Sequence, residues 1–233
     1  MIYLASSSPR RHELLCQAGI EHRVLRIPSP PGEDEPRLPG ELPDAYVQRT
    51  AHEKALRALH WLGLDIEAAL PDWRRPDHRL PLRQCTELDQ TASNWPRSEQ
   101  QLSVLPVLTA DTTVILGDDI LGKPRDAAHA AQMLQRLSGT EHHVHTAIVL
   151  AIPKGKHVNI LGDVSRTQVR FKTLSEEEIS SYCATEEPMG KAGAYGIQGR
   201  AAVFVEYLRG SYSGVVGLPL FETGRLLQQG IKK

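Results

Sequence analysis

Two arginines, Arg10 and Arg11, follow a serine run and a proline in residues 5–15 (ASSSPRRHELL). Ser8 suits the N-cap of a helix and Pro9 its first helical position, which puts both arginines in the first turn. That is the positive pole of the helix dipole, where cations are disfavoured. Two of them there point to an anionic ligand shared by free backbone N–H groups, serine hydroxyls and guanidinium forks, and a phosphate chain fits best. From this segment alone, a pair of solvated surface arginines is an equal reading.

Asp111 directly follows an apolar run that reads as a strand. Carboxyl ends of strands in open α/β sheets form ligand crevices, and a carboxylate there can hold a hard divalent cation or accept a proton from attacking water. An aspartate that caps a turn is the competing reading, and position alone favours neither. Lys54 and Lys123, the latter between Gly122 and Pro124, are ordinary surface lysines when taken singly. Residues 190–199 (GKAGAYGIQG) hold four glycines, which implies close backbone approach to a ligand or a neighbouring strand, without the dinucleotide-binding spacing. Within them, Gln198 could offer its carboxamide, both donor and acceptor, to a base edge, or simply be solvated. His142, His143 and His145 look like metal ligands. Neighbouring side chains on a strand point to opposite faces, however, so no metal is expected there. Asp118 and Asp119 read as hairpin-turn residues.

The elements that must carry these residues interleave. A strand at 2–5 leads through the serine turn into a helix from about Pro9 that stops at Gly19. Six prolines and two glycines between 28 and 43 make a loop, and 44–62 (DAYVQRTAHEKALRALHWL) has helical spacing and carries Lys54. Residues 63–103, with Trp73, Trp95 and no clear periodicity, read as an insertion. Regular pattern resumes with a strand at 104–109 ending on Ala110-Asp111-Thr112, then 113–116, a GDD turn, and a helix at 126–137 ended by Gly139. Strands at 143–152 and 164–173 follow, joined at Pro153-Lys154-Gly155. Ser175 and Glu178 form a capping box that starts a helix to about Ala184. Apolar runs at 201–208 and 215–220 and a helix at 222–229 close the chain. Alternation without a repeat favours a mixed α/β fold over a bundle, sandwich or solenoid.

Composition bounds what that fold can do. A chain of 233 residues, 40% hydrophobic and 24% charged, can bury a full core and reads as one domain. A net charge of −1 lacks the broad electrostatic footprint of a protein that coats nucleic acid or anionic membrane, so anion binding must be local. Cys16, Cys85 and Cys183 are odd in number and far apart, without the close pairing of zinc ligands or of a disulfide framework. Reduced thiols in a cytoplasmic protein are therefore expected. The start of the chain reads as a buried strand rather than a signal peptide, and nothing reaches the apolar length that spans a bilayer.

Taken together, LASSSPRRHELL, AHEKA, ADTTVILGDDILGKP, MLQRLSGTEHHVHT, KAGAYGIQG and GSYSGVVGLPLFET closely resemble, in order, the successive motifs of the Maf family. The resemblance covers nearly the whole chain except 63–103. It implies an elongated two-lobed α/β fold, a mixed twisted sheet with flanking helices and a central cleft. It also implies a tendency to form homodimers, a requirement for a divalent metal (Mg²⁺ or Mn²⁺), and hydrolysis of a nucleoside triphosphate between its α and β phosphates. AYGIQG and the full SPRR resemble the branch acting on dTTP and UTP rather than the branch acting on 7-methylguanosine triphosphate. By the same resemblance, Asp111 matches the proton acceptor, and Arg10, Thr112 and Gln198 match positions associated with nucleotide preference. Ser6, Ser8, Arg11, Lys54 and Lys123 match phosphate-facing positions. Glu35 is the best match to an acidic residue that helps Asp111 hold metal, with Glu33 or Asp34 as alternatives. A non-catalytic regulator of septum formation is the rival from another functional class, and the full set of charged residues argues against it.

Overall fold

The run VLTADTTVIL forms a ten-residue strand that is buried throughout except at Asp111, Thr112 and the terminal Leu116. In the computed structural model, which describes residues 1–28, 36–64, 104–155 and 157–231, the sheet is built around that strand. Its elements are β1 (Ile2–Leu4), α1 (Pro9–Gln17), β2 (His22–Val24), α2 (Pro43–Trp61), β3 (Val107–Leu116), β4 (Asp119–Leu121) and α3 (Ala127–Leu137). They continue through β5 (Glu141–Lys154), β6 (His157–Phe171), α4 (Glu176–Cys183), β7 (Val205–Arg209), α5 (Tyr212–Val216) and α6 (Leu220–Gly230). Among the described residues the sheet runs β2-β1-β3-β5-β6-β7, with β4 also paired to β3. The first three strands are parallel and the remaining pairs antiparallel, which is the mixed α/β sheet expected from the alternating pattern.

Period-two alternation along β3 gives each face its own layer. Ala110 and Val114 face the larger core with Leu14, Leu15, Leu134, Leu137, Ile148 and Phe171. On the other face α2 lies close to the sheet, because Val47, Ala51 and Ala55 present little bulk to Ala147 and Val149. Thr109 Oγ1 donates to the Ala51 carbonyl at 2.9 Å and ties helix to strand.

Parallel pairing of β1 with β3 is confined to Tyr3↔Val107 and Leu4↔Leu108, closed by Ala5 N–H donating to the Leu108 carbonyl at 2.9 Å. Pairing on that edge of β3 resumes only at Val114↔Leu121 with β4. Between the two, the edge at 109–113 opens where the chain departs into α1. Open α/β sheets bind ligands in such crevices.

Several expectations differ in detail. Asp111 stands in the middle of a continuous strand rather than at its end, and the crevice comes from β1 leaving rather than from β3 stopping. The hairpin β5–β6 pairs without a break from Glu141↔Arg170 to Lys154↔His157, longer than the expected 143–152 and 164–173. Asn159, Gly162 and Asp163 are poor strand formers, and ladder pairing overrides that propensity. The apolar runs at 201–208 and 215–220 take mixed forms. Residues 200–204 are 3₁₀-helical before β7, and the second run spans the end of α5 and the start of α6. The GDD turn, the Asp126 start of α3 and the Ser175–Glu178 capping box are all present. Glu35, Glu33, Asp34, Cys85 and nearly all of 63–103 lie outside the described residues. No helix among the described residues is long and apolar enough to cross a membrane.

Candidate active site

A cavity of ≈ 830 Å³ occupies the crevice beside β3. Every described residue that the family resemblance assigns to the site lines it: Ser6, Ser8, Arg10 and Arg11 from the β1–α1 turn, Lys54 from α2, Asp111 and Thr112 from β3, Lys123 after β4, and Gln198. Glu35 lies outside the described residues, so its place relative to the cavity is not part of this geometry. Asp111 and Thr112 point to opposite faces of β3, and the cavity reaches both because the strand edge is open there.

Asp111 is gripped from α2. Lys54 Nζ donates to Oδ1, and Thr50 Oγ1 donates to Oδ2 at 2.7 Å. Thr50 and Lys54 stand one helical turn apart and so share a face. Burial alone would push the Asp111 carboxyl up, but Lys54, Arg11 and the Thr50 hydroxyl together hold it below the ordinary carboxylate range. The group is therefore an anion that already has donors and still keeps lone pairs toward the cavity.

Arg11 acts on the opposite face as a clasp. Its Nε donates to the Gly217 carbonyl at 2.8 Å, Nη1 to Ser6 Oγ at 3.1 Å and Nη2 to Thr112 Oγ1 at 3.3 Å. One side chain thus joins the serine turn, β3 and the end of α5, and hydrogens remain on both Nη atoms for a ligand. Thr112 is further held by Thr146, the two hydroxyl oxygens lying 3.0 Å apart, and the Thr146 hydroxyl donates to the Gly214 carbonyl at 2.7 Å. Ser8 takes the N-cap position with extended backbone, yet its side chain does not cap the helix. Instead its N–H donates to Ser6 Oγ at 3.2 Å, so the first-turn N–H groups of α1 are left facing the cavity side.

Residues 190–199 form the far wall. Gly193 N–H donates to the Gly122 carbonyl at 3.0 Å, which brings the Lys123 turn and this segment together. Gly193 has φ +67°, and a Cβ there would lie 2.8 Å from Val114 Cγ1, so this position demands glycine on both counts. From behind, Glu187 accepts Tyr182 Oη at 3.1 Å and Arg200 N–H at 3.1 Å, while Tyr195 Oη pairs with His142 Nε2 at 2.8 Å. Gln198 stands exposed at the rim on this pinned loop.

The lining is strongly cationic. Arg10, Arg11, Arg26, Lys54, Arg57, Lys123 and Lys191 contribute to it, and among the described residues Asp111 is the sole carboxylate. Mutual repulsion is visible in the titration directions. Burial and then Arg10 lower the Lys191 ammonium against the pull of Glu187; burial lowers the Arg11 guanidinium, and Arg10 adds to this while Asp111 opposes. A polyanion relieves that crowding.

Sequence reasoning missed Thr50, Thr146, Arg57, Arg26 and Lys191. The i, i+4 spacing of Thr50 from Lys54 was the available signal for the first, and Lys191 opens the KAGAYGIQG motif; the others are joined to the site only by folding. Of the three histidines, His142 is buried against Phe171 and Tyr195, His143 is exposed, and His145 lies 3.2 Å from Asp44. They do not converge on a common ligand position.

Residues 1–230 match the Maf-like protein family. The chain is 48% identical to the dTTP/UTP pyrophosphatase of Bordetella parapertussis over 227 residues, 97% of this chain and 91% of the relative. It is 44% identical to that of Ralstonia nicotianae over 230 residues, covering 98% of this chain and 93% of the relative. The Nitrosomonas europaea protein of the same description is 42% identical over 233 residues, covering 98% and 93%. A match over nearly the full length, spanning every segment that lines the cavity, shows that the chain belongs to the Maf-like protein family.

Proposed function

We propose that this chain hydrolyses dTTP and UTP to the nucleoside monophosphate and pyrophosphate, the substrates named for its relatives, by attack of water at the α phosphorus. The observation that carries this reading is a carboxylate held ionised by Lys54 and Thr50 in a cavity whose other charged lining residues, among those described, are all cations and which takes in the amino end of α1. The bond that forms joins the water oxygen to the α phosphorus, and the α–β anhydride bond breaks with its bridging oxygen leaving on pyrophosphate. The proton from water passes to Asp111 and then to solvent.

Lys54 couples binding to this proton transfer. While it donates to Asp111 the carboxylate is a weak base, suited to orienting water. Phosphate oxygens compete for the same ammonium, and as Lys54 turns toward them the basicity of Asp111 rises. Arg10, Arg11, Lys123 and Lys191 neutralise charge that accumulates on the departing pyrophosphate. The donor set suits Mg²⁺ or Mn²⁺: a hard cation with one or two carboxylates, completed by substrate phosphates, is a usual arrangement. Asp111 would hold it, with Glu35 as the second carboxylate assigned from the family resemblance, and the ion would supply further charge neutralisation. Gln198 and Thr112 would select the base and sugar-phosphate pose, since a wrong base leaves polar groups unpaired.

The test is a product assay with dTTP, UTP, GTP and 7-methyl-GTP under Mg²⁺ or Mn²⁺. Pyrophosphate release fastest from dTTP and UTP is expected, and Gln198→Ala should change the dTTP-to-GTP ratio more than it changes metal dependence. Orthophosphate as the product, or preference for either guanosine nucleotide, would overturn the reading; equal loss on every nucleotide would remove Gln198 from specificity.

A further inference from the structure

We propose that His12, Cys16 and His22 form a binding site for a soft divalent cation of the zinc class, apart from the nucleotide cavity. None of the three lines that cavity. His12 and Cys16 stand one turn apart on α1, on the face opposite the buried Leu14 and Leu15, and His22 opens β2. Cys16 Sγ lies 3.8 Å from His12 Nε2, and His12 Nδ1 lies 2.7 Å from His22 Nε2. One ligand atom from each residue falls within 4.8 Å of the other two, the one such group among the described residues.

The remote nitrogen of His22 is already held. His22 Nδ1 lies 2.7 Å from the Ile20 carbonyl, which can only accept, so Nδ1 carries the proton and Nε2 the lone pair. Metal-bound imidazoles take this arrangement, with the remote N–H held by a carbonyl or carboxylate. His12 Nδ1 must then donate to His22 Nε2, which leaves the His12 Nε2 lone pair facing the Cys16 thiol. The supports are rigid. The turn after α1 is closed by Gly19 N–H on the Cys16 carbonyl at 3.0 Å and Ile20 N–H on the Leu15 carbonyl at 3.0 Å, and β2 is paired to β1 through Ile2↔His22.

One thiolate and two imidazoles are borderline-soft donors that favour Zn²⁺ over Mg²⁺, which takes oxygen ligands. Tetrahedral zinc with ordinary bond lengths separates N from S by about 3.6 Å, and the observed 3.8 Å is close to this. The imidazole pair needs only side-chain rotation to exchange its hydrogen bond for coordination. Three protein ligands leave a fourth position for water. Coordination displaces the thiol proton to solvent and clamps α1, whose first turn carries Arg10 and Arg11, to the edge of the sheet.

The full chain with Cys85→Ser and Cys183→Ser keeps Cys16 as its sole thiol. Titrated with Co²⁺ in excess Mg²⁺, it should develop a thiolate-to-cobalt charge-transfer absorption that saturates at one equivalent and is competed away by Zn²⁺. Adding Cys16→Ser should abolish the band, and adding His22→Ala should weaken Co²⁺ binding at least about tenfold. All three ligands are at the surface or half-buried, so the variants are expected to fold, which circular dichroism checks. Absence of the band in the parent, its persistence after Cys16→Ser, or unchanged affinity in His22→Ala overturns the site.

Discussion

Asp111 owes its charge to its neighbours, and the same neighbours limit its strength as a base. Burial favours the neutral acid, while Lys54, Arg11 and Thr50 favour the anion and prevail. In the proposed mechanism a residue so placed accepts the proton near neutral pH and would become a better acceptor as substrate draws Lys54 away. Asp111→Asn keeps the size and the Thr50 contact but cannot accept a proton. Its kcat is expected to fall by about two to four orders of magnitude, with the circular dichroism spectrum unchanged. Near-normal kcat in that variant would assign the proton to another acceptor.

Two glycines show how elements, rather than single side chains, set the far wall and the outer layer. A Cβ at Gly199 would overlap the Glu187 carboxylate, which holds Arg200 N–H and Tyr182 Oη. Gly199→Ala must move Glu187, loosening the loop that presents Gln198. A stability loss of about 1–3 kcal/mol by denaturant melt is expected, together with a raised KM for dTTP. Gly224, inside α6, has nothing within 4 Å of where a Cβ would stand. Gly224→Ala is expected to gain about 0.5–1 kcal/mol in the same melt with unchanged kinetics, because alanine loses less conformational freedom in a helix. A Gly199→Ala variant as stable as the parent would show that the loop has more freedom than its contacts indicate, and no gain in Gly224→Ala would show that a side chain there is not accommodated.

At the scale of the whole molecule, His142 couples stability to pH. It is fully buried on β5 against the 190–199 segment, bonded to Tyr195 Oη, with no hydrogen-bond partner for Nδ1 among the described residues. Burial, then the neighbouring His143, lower its pKa to about 4 from 6.5, against a small opposing pull from Glu141. Between those values the unfolded chain binds a proton that the folded chain refuses, so stability rises with pH across the window and is lost as pH falls through it. The swing is about 3 kcal/mol. His142→Gln, which can still meet Tyr195 but does not titrate, should flatten the dependence of unfolding free energy on pH between about 4 and 6.5. An unchanged slope would place the acid sensitivity elsewhere.

Residue types and local order already specified the helices with clear caps and apolar stripes, the hairpin turns, and the cavity residues that recur as family motifs. Short-range chemistry decides those features: a capping box such as Ser175–Glu178 or a turn such as GDD acts over a few residues. What folding alone decided is which distant residues meet. Thr50 and Lys54 reach Asp111 because small alanines let α2 lie close to β3, and Arg11 finds Thr112 and Gly217 because β1 leaves the sheet early. Strand bounds in β5 and β6 and the helical fate of residues 212–216 were likewise set by ladder pairing and packing. Those are nonlocal free energies, summed over contacts between residues tens of positions apart, and no window of neighbouring residues contains them.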